Sequence, residues 1–213
     1  LPILMIYNEK LCKLVINDMS IVEAAPKIAE EIEIGVFNSI NKRCKEFSKE
    51  QGWEGVFDIF TGDENKTRFS PEKWKANDGE ITDGYYIALA EECDERWLTV
   101  FLNQRPGSLL GFQFYIHHYS LQGRKNDFIK LLDECFYGEN YTAVKDSGFR
   151  RVDDYLFFPV LLNKDDLIRG LSEDSFDSVL GPINAGLKVI RDTHKHLHAI
   201  REEIIGRLGE KDK

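Results

Sequence analysis

Three apolar runs in the middle of the chain constrain its fold more than any other feature. They occupy residues 84–90, 97–102 and 109–118, and polar turn residues separate them. Each run is rich in aromatic or β-branched side chains, which favour strands. Runs of this kind with turn residues between them predict consecutive strands of an antiparallel meander.

The third run alternates between two kinds of side chain. The apolar set is Phe112, Phe114 and Ile116, and the set between them is Gln113, Tyr115 and His117. Because successive side chains of a strand point to opposite sides, this alternation predicts a sheet with one buried and one exposed face. Gln113, Tyr115 and His117 are therefore candidate binding residues on the exposed face.

Helices are predicted on both sides of the strands in the sequence. One segment begins near Ser20 or in a first turn containing Pro26, and it stops at Gly52. Its acidic residues come early and its basic residues late, which suits the helix dipole. A shorter segment, 128–136, carries apolar residues at i, i+3, i+4, i+7 and i+8. We expect this amphipathic helix to lie across the apolar face of the sheet.

The last part of the chain combines a strand and a long helix. Residues 155–162 are apolar, and Pro159 within them predicts a strand at an edge or a bulge. The helix is predicted over residues 183–208. Its heptad positions are Ile183, Leu187, Ile190, His194, Leu197, Arg201, Ile204 and Leu208. Such spacing predicts packing on the N-terminal helix or self-association with a second copy.

These elements predict a single α+β domain over residues 1–213. Its antiparallel meander sheet is packed by the amphipathic helix and framed by long N- and C-terminal helices. The chain starts with leucine instead of methionine. We therefore expect it to be a piece of a longer protein.

Composition narrows the function classes. The formal net charge of −9 argues against non-specific wrapping of nucleic acid, which needs a basic surface. The apolar runs are far shorter than a membrane span, so no membrane association is predicted. The four cysteines form no CxxC pair. Reduced thiols in a cytoplasmic protein are the expectation.

One candidate catalytic pair lies in the long C-terminal helix. Arg191, Asp192 and His196 match the R-[N/D/H]-x-x-x-H pattern of HEPN ribonucleases. In that family the arginine and histidine act on the scissile phosphate, usually across a dimer interface. An arginine that holds a phosphate beside a histidine that transfers a proton is a sound mechanism. The alternative is a charged helix surface.

The same helix suggests a metal site. His194 and His198 are four residues apart, so both imidazoles lie on one helical face and can share a metal ion. The segment contains no HExxH glutamate and shows no third ligand. The alternative interpretation is a pair of surface histidines without metal.

A third lead involves acidic residues near the first strands. Asp58 followed by Glu64 and Lys66 resembles the acid and E-x-K core of PD-(D/E)xK nucleases. Two carboxylates there would bind a divalent cation, and the lysine would position the attacking water. The alternative is a solvated acidic loop. No cofactor is predicted unless this nuclease hypothesis holds.

The order of elements also resembles a known arrangement. A long helix precedes Phe69, Ser70 and Trp74, which have the pattern F-S-x-x-x-W, and a strand region ending in residues 110–113 follows. An amphipathic helix, an apolar strand and a long terminal helix complete the order. It resembles the region after the nuclease core in bacterial PD-(D/E)xK-superfamily proteins linked to phage defence. That resemblance implies an accessory part without the catalytic core.

The sequence favours a non-catalytic recognition or assembly module of a bacterial, nuclease-related or defence-related protein. Its predicted contact surfaces are the exposed face of the sheet and the 183–208 helix, with a protein partner or a second copy. A nuclease, HEPN-like or metal-dependent, is one alternative. A small-ligand sensor with a pocket over the aromatic sheet is the other.

Overall fold

The structure is a computed structural model that describes residues 19–57, 67–71, 74, 83–89, 110–116, 124–162, 165–166, 169 and 176–210. These residues form an α+β fold, as predicted. The helices are α1 Met19–Gln51, α2 Lys125–Tyr137, α3 Thr142–Asp146 and α4 Leu180–Glu210. The strands are β1 Glu54–Val56, β2 Arg68–Ser70, β3 Gly84–Leu89, β4 Leu110–Tyr115, β5 Arg150–Val152 and β6 Tyr155–Pro159.

The first long helix ends where the sequence predicts. Gly52 has a φ of +66°, a conformation that glycine adopts without steric cost and that terminates α1. The amide of Trp53 then donates to the Ser48 carbonyl across 2.8 Å. Pro26, in contrast, lies inside α1 and beyond the first described turn, because the helix already runs from Met19.

The six strands form one antiparallel sheet in the order β1-β2-β3-β4-β6-β5. β3 pairs directly with β4, with Tyr85 opposite Phe114 and Ile87 opposite Phe112. The prediction that the three runs form neighbouring strands in chain order is therefore wrong, because the strands of the first and third runs pair directly with each other. Residues 97–102 lie outside the described residues.

β6 corrects a second expectation. It lies between β4 and β5, so Pro159 is not on an edge strand. Pro159 is opposite Gly111 of β4 and lies beyond Phe157, the last residue paired with β5. The proline ring lacks an N–H donor, and this position past the β5 ladder tolerates that loss.

The two faces of the sheet differ as the alternation predicts. The inner face is apolar and almost fully buried, with Phe69, Tyr85, Ile87, Phe112, Phe114 and Leu156 each at most 2% exposed. The strand pairings place a different set side by side on the outer face: Arg68, Tyr86, Gln113, Phe157 and Arg150. This set, called the outer row below, is half-buried at Arg68, Tyr86 and Gln113, buried at Phe157 and exposed at Arg150.

Helix α4, rather than α2, makes the closest approach to the inner face. A Cβ atom at Gly186 of α4 would lie 2.6 Å from the ring of Phe112, so only glycine permits this contact. Helix α2 packs mainly against α4 and α3. Helix α2 adds Phe128 and Leu132 to the core cluster that contains the inner-face residues, and α4 approaches the sheet directly at Gly186.

The heptad face of α4 is used inside the chain. Its six apolar positions are each at most 2% exposed, and α4 packs against α1, as one of the two alternatives predicts. Arg43 of α1 also donates to Asn184 of α4 across 2.6 Å. The apolar surface suggested for self-association is therefore covered by the chain itself. Among the described residues, no helix is long and apolar enough to cross a membrane.

Candidate functional site

The candidate site is a group of rings packed around the two histidines of α4. The rings of His194 and His198 lie one helical turn apart, with centroids 6.2 Å apart and planes within 13° of parallel. Trp53, Trp74 and Tyr85 surround them, and the Trp53 and His194 centroids are 4.7 Å apart. These five residues are called the histidine–aromatic cluster.

Each histidine makes one specific hydrogen bond across the fold. The indole Nε1–H of Trp74 donates to Nδ1 of His198 across 3.0 Å. The hydroxyl of Tyr85 lies 2.9 Å from Nδ1 of His194. Trp74 and Tyr85 are both 0% exposed. Both Nδ1 atoms therefore join α4 to the β2–β3 part of the chain.

The Trp74 contact determines the protonation of His198. An indole N–H can only donate, so Nδ1 of His198 must carry a lone pair. A neutral imidazole keeps its proton on the other nitrogen, so Nε2 of His198 holds the proton. This is the reverse of what metal ligation through Nε2 requires.

The metal hypothesis for His194 and His198 therefore finds no support in this geometry. The described residues also contain no group of three or more histidine, cysteine, aspartate or glutamate side chains arranged to hold a metal ion. The pair is on one helical face, as predicted, but its rings serve aromatic packing and hydrogen bonding.

The phenol of Tyr85 is held in its neutral form. Burial raises its pKa well above the ordinary value, because the phenolate would have to leave water. A protonated hydroxyl can donate to the imidazole nitrogen or accept from it, so this contact holds His194 with either nitrogen protonated. A phenol with a strongly raised pKa is a poor general acid near neutral pH.

A buried ion pair closes one side of the cluster. Nη2 of Arg201 lies 2.6 Å from a carboxylate oxygen of Asp83, and the two side chains are 13% and 7% exposed. The guanidinium also lies over the ring of Trp74, 5.6 Å from its centroid. Arg201 therefore connects α4 to the start of β3 and covers Trp74.

The predicted catalytic pair Arg191 and His196 lies on two different sides of α4. Five residues at 100° each separate the two side chains by about 140° around α4. Arg191 is exposed and pairs with its neighbour Asp192 across 3.0 Å. Both residues lie in the middle of α4 and not at its start. Their predicted role across a dimer interface stays a prediction.

The remaining candidates divide between described and undescribed residues. Gln113 and Tyr115 lie on the outer face, as predicted, but both are half-buried where the prediction was an exposed face, and the ring of Tyr115 meets Tyr86 edge-to-face at 5.8 Å. His117 lies outside the described residues, as do Asp58, Glu64 and Lys66. Their predicted roles stay predictions.

A second polar cluster, which the sequence does not reveal, joins α2, the turn after it and α4. Tyr141 donates to Glu203 across 2.7 Å, and Arg207 donates to Glu134 across 2.7 Å. Burial, with Glu203 nearby, raises the pKa of Cys135 to about 12. The thiol therefore stays protonated and is a poor nucleophile. The hydrogen bonds of the cluster hold α2 and the turn after it against α4.

Comparison with protein-family models finds no match. Comparisons with curated proteins and with solved structures also find none. The resemblance to PD-(D/E)xK accessory regions therefore stays a prediction, and the interpretation of the site depends on its own geometry.

Proposed function

We propose that this chain is a non-catalytic recognition module that binds a protein partner through the outer face of its sheet. One observation carries the non-catalytic part. The histidine pair of the metal hypothesis is used in packing, since His198 accepts from Trp74 and His194 is hydrogen-bonded to Tyr85. Groups used in this way stabilise the fold.

The composition of the outer row supports the choice of surface. Its two ends are Arg68 and Arg150. Between them lie half-buried Tyr86 and Gln113 and buried Phe157, so the side chains that a partner can reach are mainly those of the arginines, Tyr86 and Gln113. Arginine and aromatic residues are enriched at protein interfaces, whereas lysine and acidic residues are depleted there. The row itself contains no lysine and no acidic residue.

The length and charge of the outer row indicate which side chains a partner would carry and how far apart they would lie. Strands lie about 4.8 Å apart, so a row across five strands spans roughly 19 Å. Two arginines at its ends favour a partner with acidic side chains at a similar separation. The chain as a whole carries −9, so this row is locally opposite in sign.

The order of elements supports a bacterial, nuclease-related or defence-related protein as the setting of this module. On this proposal the chain supplies recognition, and catalysis lies in another part of the protein or in the partner. Lead residues Arg191 and His196 have no role in the proposed contact, because they lie on α4 and not on the sheet.

A photo-crosslinking experiment tests the surface. A photoreactive amino acid replaces Tyr115 on the outer face or, as the matched control, exposed Lys195 of α4. We expect one protein to crosslink from position 115 and not from 195. With that protein purified, Gln113→Lys should weaken binding at least about tenfold, a loss typical of an interface anchor, and Lys195→Ala should not. Equal crosslinking from both positions, or unchanged binding by Gln113→Lys, would contradict the surface.

A cleavage assay tests the non-catalytic part separately. Purified chain is incubated with RNA or DNA and Mg²⁺ or Mn²⁺. We expect no cleavage above that of a mock purification. Cleavage that disappears in Arg191→Ala or His196→Ala would overturn the proposal in favour of a nuclease.

A further inference from the structure

The Nδ1 atom of His198 has two neighbours of opposite hydrogen-bonding character. The indole N–H of Trp74 lies 3.0 Å away and can only donate. A carboxylate oxygen of Glu202 lies 3.6 Å from the same nitrogen and can only accept. When Nδ1 carries a lone pair, it accepts a hydrogen bond from Trp74. When Nδ1 carries a proton, it can donate to Glu202.

We propose that His198 is a pH-operated switch that holds Trp74 when neutral and exchanges it for Glu202 when protonated. A proton from solvent binds the Nδ1 lone pair, and no covalent bond between heavy atoms changes. The side chain of His198 is 28% exposed, so solvent can supply that proton. This inference goes beyond the recognition role and does not depend on it.

The charged groups around His198 act in opposite directions, because the anion of Glu202 favours a protonated imidazole and the cation of Arg201 opposes it. On its own helix it faces the neutral ring of His194, the cation of Arg201 and the anion of Glu202. From the β2–β3 part of the chain it faces Trp74, and Asp83 at the start of β3 already pairs with Arg201. The carboxylate of Glu202 lies 3.6 Å from Nδ1, within ion-pair distance of a protonated imidazole, so it can receive the new N–H.

The consequence of the exchange falls on Trp74. Its ring is 0% exposed, and protonated His198 turns a donor toward the indole donor. A buried donor that faces another donor is unfavourable, so the contact between Trp74 and α4 weakens. The guanidinium of Arg201, which lies over the indole face, is then repelled by the imidazolium of His198. This repulsion further destabilises the packing of Trp74 that exists at neutral pH.

His194 does not share this behaviour. Its Nδ1 partner is the hydroxyl of Tyr85, which can rotate and accept a hydrogen bond as well as donate one. Protonation there leaves a hydrogen bond in place, and the surrounding rings of Trp53 and Trp74 favour a cation. The switch is therefore specific to His198.

The indole ¹H–¹⁵N signal of Trp74, assigned with Trp74→Phe, tests the proposal over the range in which imidazole titrates, about pH 7.5 to pH 5. We expect this signal to shift with a single midpoint. The shift should disappear in His198→Asn, whose side-chain oxygen can accept from the indole without titrating. It should persist in the control His196→Asn.

A second variant keeps the test decisive if His198→Asn fails to fold. Glu202 is 54% exposed, so Glu202→Gln should fold normally. It removes the anionic partner of the protonated ring and should move the midpoint to lower pH. An unchanged midpoint in Glu202→Gln, a persistent shift in His198→Asn, or a constant wild-type signal would overturn the switch.

Discussion

The indole nitrogen of Trp74 donates to Nδ1 of His198 across 3.0 Å and joins residues 124 positions apart in the chain. The bond connects the segment between β2 and β3 to the middle of α4. It also identifies His198 as an acceptor, which decides between a structural and a metal-binding role for the histidine pair.

Removing the donor should reveal the energy of this contact. Trp74→Phe keeps an aromatic ring but loses the N–H, so the free energy of unfolding should fall by about 1–3 kcal/mol from the lost bond and the smaller ring. In a His198→Leu background the same substitution should cost less, because the acceptor is already gone. Urea denaturation of the four proteins measures this coupling, and equal costs in both backgrounds would contradict the bond.

Gly186 should be the least replaceable of the described glycines in α4. Gly186→Ala places a methyl group 2.6 Å from the Phe112 ring, so we expect a loss of about 1–3 kcal/mol in stability as the sheet and helix separate. Gly206→Ala in the same helix is the matched control, since no atom lies within 4 Å of its Cβ position. There alanine should stabilise by about 0.5–1 kcal/mol. Thermal unfolding measures the stability of both variants. If both substitutions stabilised the protein, or both destabilised it, the result would contradict the packing.

The buried pair of Asp83 and Arg201 should matter far more than an exposed one. Asp83→Asn leaves the Arg201 guanidinium with 13% exposure and no buried anion opposite, and should cost about 3–5 kcal/mol. Glu134→Gln weakens the exposed pair with Arg207 and should change stability little. Chemical denaturation of the two variants compares them directly. Similar losses of stability in the two variants would mean that burial does not determine how much the ion pair contributes to stability.

Two cysteines should resist alkylation in the folded protein. Burial raises the pKa of Cys44 far above its ordinary value and that of Cys135 to about 12. Both thiols therefore stay protonated and shielded at about pH 8, below the ordinary cysteine pKa of about 8.5. Mass spectrometry after a short iodoacetamide pulse should find them unlabelled in the native chain and labelled in urea. Rapid native labelling of either thiol would contradict its burial.

Tyr85 gives stability a dependence on alkaline pH. Its folded-state pKa is raised by burial, so the folded phenol stays neutral while the unfolded phenol ionises above about pH 10. Its contribution is present below that pH and is lost as the pH rises further. Tyr85→Phe should therefore lose less stability between about pH 9 and pH 11 than the wild type. Urea denaturation at each pH measures the stability of the two proteins. A parallel decline of stability with pH in both would contradict this assignment.

The sequence predicted those parts of the fold that have a long periodic pattern. Helix α4 and strand β4 could be recognised because heptad spacing and strict alternation extend over many residues. β2 and β5 have three residues each, too few for a pattern to emerge. Which helix covers the sheet depended on a single close contact between Gly186 and Phe112, and periodicity does not encode such a contact.

The candidate site was only partly predictable for a similar reason. The spacing of His194 and His198 placed both on one face, since helix geometry is local. Their partners Trp74 and Tyr85 are more than a hundred residues away. A histidine pair looks the same in sequence whether it accepts from an indole or binds a metal, so the distant donor decided its role.

The central claim is that His198 of α4 is a packed hydrogen-bond acceptor and not a metal ligand. Imidazole ¹⁵N spectra at about pH 7.5 test it most directly, because they distinguish a protonated from an unprotonated nitrogen in each ring. We expect His198 to be neutral, with the proton on Nε2 and the lone pair on Nδ1. A proton on Nδ1 of His198 at this pH would contradict the account.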